Sequence, residues 1–255
     1  PAHPFRHHRH HMKPFLILQL RPETQASDDE YEAILEKGGL DQSETVRIRL
    51  DRIPIPGDLN LHDHAGVIVG GGPGCVSDAD EEKSEREKRI EDAIFNLMPA
   101  ITDADFPYLG CCYGIGILAH HLGGKVNKER FSEKVGAVEC QLTSDGTTDP
   151  LLNDLPETFM AFVGHKEAVQ DLPPDCVHLL ASGPCPYQMI RYKSNVYATQ
   201  FHPEADSQIF EARIKIYKNK GYFPPSSADR IIEFCHQQDV RVPGQILKNF
   251  VDAYR

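Results

Sequence analysis

The chain has 255 residues, 40% hydrophobic and 25% charged, which is the make-up of one ordinary globular domain or at most two small ones and excludes disordered and fibrous classes. A chain of this length buries roughly 70–75% of the surface that its unfolded form exposes, so its core needs no disulfide or metal staple. The formal net charge of −11 becomes −13 once Arg6 and Arg9 of the His-rich start are set aside, and this disfavours nucleic acid or an anionic membrane as a partner.

Residues 1–12, with His3, His7, His8, His10 and His11 ahead of Met12, read as an affinity-tag remnant, which leaves 13–255 as a single domain. Phe15 to Leu20 is a short apolar run closed by Arg21-Pro22, the pattern of a buried central strand and too short for a signal peptide. A polar helix follows over about 27–37. Thr45 to Leu50 alternates Val46, Ile48 and Leu50 with Arg47 and Arg49, as an edge strand with one wet face does. Ala65 to Val69 is a second buried strand, running into Gly70-Gly71-Gly72-Pro73-Gly74. Asp78 with Glu81 has capping-box spacing, and Ile90, Ala93, Ile94, Leu97 and Ile101 recur at helical spacing, which makes the charge run 80–92 the solvated face of an amphipathic helix.

Phe106 to Leu109 is another strand, and the helix from Gly114 ends at Gly123-Gly124. Strands are then expected at Val135–Leu142, Thr158–Val163, Val177–Ala181, Tyr187–Tyr192 and Val196–Phe201. A helical extension begins at about 224, where Pro224-Pro225 interrupts the chain and Pro243 opens a last helix with Ile246, Leu247, Phe250, Val251 and Tyr254 on one stripe. That stripe is expected against the domain's own surface rather than on a partner or a second copy in a homodimer. The alternation predicts an α/β fold of three layers, with a largely parallel central sheet flanked by helices. Ligands then gather beyond the C-terminal ends of the strands.

Seven cysteines, at 75, 111, 112, 140, 176, 185 and 235, form no CxxC pair and read as free thiols of a reducing, cytoplasmic compartment. No stretch approaches the ~20 apolar residues that span a membrane. The glycine loop lacks the following Lys-Ser or Lys-Thr of a phosphate loop. His62 and His64 lack a third ligand nearby, and His120 and His121 suit a helix C-terminus, so no metal site is expected.

Two segments carry chemistry. In Tyr108-Leu109-Gly110-Cys111-Cys112-Tyr113-Gly114 a strand runs into a helix, with glycines two residues either side of Cys112. A nucleophile on such a crowded turn needs small neighbours, and the helix N-terminus beneath it favours thiolate. In Gln200-Phe201-His202-Pro203-Glu204 the side chains of His202 and Glu204 lie two apart on extended backbone and face one side. A carboxylate beside a histidine fixes the tautomer that a base serving a cysteine requires.

Together with Val69-Gly70-Gly71-Gly72-Pro73, these segments resemble the class I glutamine amidotransferase family, in its stand-alone form similar to the GMP synthase glutaminase, over roughly residues 15–220. The resemblance implies a flavodoxin-like fold, Cys112 as nucleophile with Cys111 as a packing neighbour, His202 as general base and Glu204 as its orienting carboxylate. It also implies an oxyanion hole from the N–H groups of Gly72 and Tyr113, with Gly71, Gly116, Gly164 and His165 lining the substrate pocket. The implied reaction is attack on the carboxamide of glutamine, giving glutamate and ammonia through a γ-glutamyl thioester, with no cofactor.

The sequence departs from the family pattern at Gly116, where members using free glutamine commonly carry Gln. Either another group holds the glutamine or the pocket admits a larger γ-glutamyl compound, as in a γ-glutamyl peptidase or hydrolase. No stretch is left for an ammonia-accepting synthetase, so a partner subunit in trans, or no acceptor, is expected. The alternative from another class is a catalytically quiet binding or regulatory protein.

Overall fold

The computed structural model describes residues 12–255, so all but the last residue of the segment read as a tag lies outside the described residues. In chain order the elements are β1 (Phe15–Gln19), α1 (Thr24–Gly38), β2 (Thr45–Arg49), β3 (Gly66–Val69), α2 (Glu85–Asp103), β4 (Tyr108–Cys111), α3 (Tyr113–His121), β5 (Lys125–Asn127), β6 (Glu133–Leu142) and α4 (Ser144–Thr148). They continue with β7 (Thr158–His165), β8 (Ala168–Asp171), β9 (Cys176–Ser182), β10 (Met189–Tyr192), β11 (Val196–Thr199), α5 (Ser207–Ile216), α6 (Ala228–His236) and α7 (Arg241–Tyr254).

Nine strands form the central sheet in the order β2-β1-β3-β4-β11-β10-β9-β6-β7. From β2 to β11 all pairs are parallel, and from β11 to β7 all are antiparallel. The change of sense follows from connection length: β10 returns to β11 through a tight turn, which only antiparallel strands allow, whereas the parallel strands are joined through helices. That turn has Lys193 at φ 51°, and the Asp105 carboxylate accepts the N–H of Asn195 at 3.0 Å. β1, β3, β4 and β11 are contiguous, so their C-terminal ends open on one place.

Apolar clusters cover both faces. On one, Phe15, Ile17, Ile68 and Leu109 pack with Tyr31 and Ile34 of α1 and with Ile246, Leu247, Phe250 and Val251 of α7. On the other, Leu16, Leu18, Val67 and Val69 pack with Ile90, Ile94 and Met98 of α2 and Ile115, Leu118 and Ala119 of α3. The stripe of the last helix is therefore buried on the chain's own sheet layer.

Several expectations are corrected. The first helix starts at Thr24, earlier than about 27. The N-cap of α2 is Ser84, whose side chain accepts the N–H of Glu87, and not Asp78, whose carboxylate pairs with Lys128 at 2.5 Å. The charge run 80–92 is not wholly solvated, because Lys83 and Glu91 are buried as a 2.7 Å ion pair. On β2, Val46 is exposed although it shares a face with the buried Ile48, so that face is covered only along part of this edge strand. The short β5–β8 ribbon and α4 carry too little periodicity to read in advance.

The buried last helix gives a stability test. Phe250→Ala should cost about 3–5 kcal/mol in denaturant unfolding, whereas truncating the exposed Phe234 should change stability by less than about 0.5 kcal/mol.

Candidate active site

β4 ends at Cys111, and Cys112 occupies the turn before α3 with φ 55° and ψ −92°, a left-handed backbone that L-residues seldom adopt. The turn is held from the neighbouring strand: Thr199 pairs with Cys111, and the Cys112 N–H donates to the Thr199 carbonyl at 2.7 Å. Gly110 cannot carry a side chain, because a Cβ there would meet the Tyr108 hydroxyl at 2.5 Å. The register places Gln200 beside this turn, with its Nε2 3.8 Å from Cys112 Sγ. Cys111 points instead into the core shared with α1 and α7.

Two cavities meet at Cys112. One is walled by Arg21, Gly72, Pro73, His202 and Arg213, with the apolar side chains of Val135, Phe210, Ile214, Tyr217, Tyr222 and Phe223. The other is lined by Gly72, Tyr113, Gly116, Gly164, His165, Glu167 and Gln200. Thus Gly72, Tyr113, Gly116, Gly164 and His165 all border the space next to Cys112. Gly71 lines neither cavity but makes room behind it, since a Cβ there would stand 2.8 Å from Arg21 Nη2 and 3.3 Å from His202 Cε1. Among the described residues, no backbone carbonyl accepts from the N–H of Gly72 or Tyr113.

Behind His202 runs a buried row of alternating charge that sequence reasoning missed. His202 Nδ1 lies 3.8 Å from Glu204 Oε1, and Arg213 Nη2 lies 2.7 Å from the same oxygen. The guanidinium N–H bonds are not aimed along that contact, so it is an ion pair rather than a hydrogen bond. Arg213 also stands 3.8 Å from Glu30, which Arg21 Nε pairs at 2.7 Å, and Arg21 donates on to the Tyr217 hydroxyl at 3.1 Å. Gln19 Nε2 donates to the other oxygen of Glu30 at 3.1 Å.

These surroundings set the protonation states. Burial pushes the Cys112 thiol up to about 12 against the pull of Arg21, which runs counter to the thiolate expected at a helix N-terminus. Burial holds His202 down to about 3, with Glu204 opposing and Arg213 and Arg21 assisting. Burial alone would raise Glu204, but Arg213, His202 and Arg21 together bring it to about 2. The resting site therefore holds a thiol, a neutral imidazole and a carboxylate.

The His165 side chain turns away from Cys112. Its Nε2 meets Glu133 Oε1 at 2.7 Å and its Nδ1 meets the Glu167 carbonyl at 2.8 Å. Glu133, His165 and Cys185 place their polar atoms within 4.8 Å of one another, but this is a second set, separate from Cys112, His202 and Glu204. Ser182 and Gln188 also donate to Glu133, so that carboxylate is held by three side chains at the C-terminal end of β7. The place beside Gly116 is taken by Glu167, whose Oε2 would lie 3.3 Å from a Cβ there. His62 packs on the Phe106 ring and His121 Nε2 bonds the Thr102 hydroxyl at 3.0 Å, ordinary structural contacts for both.

Comparisons with known proteins place the chain in a family. A family model, glutamine amidotransferase class-I, matches residues 10–219. GMP synthases [glutamine-hydrolyzing] of Streptococcus pneumoniae strains CGSP14 and 70585 are 32% identical over 148 residues, 57% of this chain. The match spans only 25% of those relatives' own length. A solved glutamine amidotransferase of Thermotoga maritima has the same fold, with TM-score 0.74 and 20% identity over 94% of this chain and 97% of that one. A glutamine amido transferase of Methylobacillus flagellatus aligns with TM-score 0.73 and 19% identity over 95% and 94%. By the family match over most of its length, and with the three motifs gathered at one sheet edge, the chain belongs to the class I glutamine amidotransferase family.

Proposed function

We propose that the protein hydrolyses the γ-carboxamide of glutamine through a Cys112 thioester. The observation that carries this reading is the position of Cys112, on a strained turn at the junction of two cavities, bordered by His202 and by the free N–H groups of Gly72 and Tyr113. His202, being neutral, takes the thiol proton as sulfur bonds to Cδ. The two N–H groups receive the negative charge that develops on the amide oxygen. Collapse breaks the C–N bond, and the imidazolium gives its proton to the leaving nitrogen as ammonia. Water then attacks the thioester, His202 takes its proton, and glutamate leaves as the thiol is restored. Glu204, held by Arg213, stabilises the imidazolium formed in each half.

The apolar cavity on one side of Cys112 supports a second reading, a γ-glutamyl hydrolase, because Phe210, Ile214, Tyr222 and Phe223 would cover a leaving amine larger than ammonia. For the glutaminase reading the ammonia acceptor is a synthetase-type active site, supported by the GMP synthase relatives, of which the match spans only a quarter. We further read residues 13–255 as one domain, since α7 shares the core of β1 and α1. Among the described residues, no helix is long and apolar enough to cross a membrane.

A glutamine-derived diazo-ketone should label wild type and Cys111→Ala but not Cys112→Ala, and only the first two should release ammonia from glutamine. Labelling that follows Cys111 would overturn the assignment. Faster release of glutamate from γ-glutamyl dipeptides than of ammonia from glutamine would favour the hydrolase. The pH dependence follows from His202, which works as a base only when neutral. With its pKa held at about 3 instead of 6.5, kcat/KM should show no acid limb near pH 6.5. The same depression stabilises the fold above pH 6.5, and that contribution should fade as pH drops from 6.5 towards 3, because the unfolded chain binds the proton first. Denaturant midpoints across that range should fall more steeply for wild type than for His202→Asn.

A further inference from the structure

The proposed reaction uses neither Lys83 nor Glu91, yet the two are buried together while the other charged residues of 80–92 are exposed or half-buried. Taking two charges out of water is repaid only where further hydrogen bonds complete the pair. Here they do, and they lead to the site. Lys83 Nζ stands 2.7 Å from Glu91 Oε1 and donates to the Val76 carbonyl at 3.1 Å, at the end of the glycine loop. The other carboxylate oxygen of Glu91 accepts from the Tyr113 hydroxyl. The ion pair therefore ties the loop that follows β3 to the first residue of α3.

The Tyr113 ring itself lies on that loop. A Cβ on Gly74 would stand 2.3 Å from Tyr113 Cε2 and 3.0 Å from its hydroxyl oxygen, so only a glycine lets loop and ring come this close. Both segments carry a free N–H that borders Cys112, one on Tyr113 and one on Gly72, two residues before Gly74. Two donors serve one oxygen only if each lies within about 2.7–3.1 Å of the place where the oxyanion forms. Helix geometry fixes the N–H of Tyr113, but not its distance from a donor on a separate loop. The contacts that span this gap are the Tyr113 ring on Gly74 and the chain of bonds from its hydroxyl through Glu91 and Lys83 to Val76.

We propose that the Tyr113 side chain, Glu91 and Lys83 are positioning residues that hold the two oxyanion donors at a fixed separation. The proposal rests on the reading of Gly72 and Tyr113 as donors to the amide oxygen of a γ-glutamyl substrate at Cys112. It gives the Tyr113 hydroxyl a task separate from that of its N–H, and it explains why two charges of a surface helix turn inward. None of the three side chains touches the substrate. Their effect falls on the tetrahedral intermediate, where the oxyanion exists, and not on binding of the planar amide.

Tyr113→Phe removes the hydroxyl and leaves the ring, the N–H and the Lys83–Glu91 pair. Its kcat on glutamine should fall about 10- to 100-fold, less than the loss of about 10²–10³ that follows outright removal of a donor, while KM stays within about threefold. Should Tyr113→Phe not fold, the double variant Lys83→Met/Glu91→Leu, which removes both charges together, must show the same loss. Lys88→Ala, which breaks an exposed pair with Glu85 on the same helix, should keep the wild-type kcat. Inhibition by glutamate γ-semialdehyde separates positioning from a merely structural role, because its hemithioacetal on Cys112 sets an oxygen where the oxyanion forms. Its Ki should rise about tenfold in the clamp variants, while the Ki of the product glutamate changes less than about threefold. A kcat within about twofold of wild type in the clamp variants, equal weakening of semialdehyde and glutamate, or an equal loss in Lys88→Ala overturns the proposal. If γ-glutamyl dipeptides are the better substrate, the same comparison is made on them. If wild type turns over neither, the reading of the reaction fails, and the proposal is then read from amide hydrogen exchange. Peptides covering 70–77 and 112–116 should exchange faster in Tyr113→Phe than in wild type, and equal exchange there overturns the proposal.

Discussion

The parallel pairing of β4 with β11 is the contact on which the site depends. Thr199 opposite Cys111 fixes the register, and the bond from the Cys112 N–H to the Thr199 carbonyl holds Cys112 in a left-handed turn. The same register carries Gln200 and His202 out of β11 beside that turn. A slip of one residue would turn every side chain on β11 to the opposite face of the sheet. Strain at Cys112 therefore persists because the strand on one side and α3 on the other both determine it.

Burial then decides the electrostatics. Desolvation raises the half-buried Cys112 thiol and lowers the buried His202 imidazole, and the charges stand one layer behind, in the row Glu204, Arg213, Glu30 and Arg21. Glu204 is held closer to Arg213 than to His202, so its carboxylate is charge-balanced before any proton moves. In the proposed reaction an imidazolium at His202 would meet a carboxylate already in place, which is the arrangement that lowers the cost of charging a buried ring.

The sequence disclosed the parts of this site that are local. Cys112 between its glycines, His202 with Glu204, and the glycine loop are short motifs whose backbone demands are written in adjacent residues. Arg21, Glu30, Arg213 and Glu167 were not legible as neighbours of Cys112 and His202, because each reaches them from a distant segment. Arg21 meets Tyr217 across 196 positions, and Glu167 ties Val76 from 91 positions away. Glu30 fell in a stretch read only as a polar helix, and Glu91 in a charge run read as solvated, whereas both are buried. The missing Gln at 116 was the one signal that another group must stand there, and Glu167 follows directly on the Gly164-His165 turn already in view. The parallel half of the sheet was readable from strand and helix alternation. The antiparallel half required knowing that β6 pairs with both β7 and β9.

The central claim is that Cys112 becomes acylated, and it is tested most directly by mixing the protein with glutamine, quenching in acid within a turnover, and locating the adduct by peptide mass spectrometry. A γ-glutamyl group on the Cys112 sulfur that disappears on longer incubation is the result expected. Ammonia release with that group on Cys111, or with no acylated cysteine at any quench time, would contradict the account.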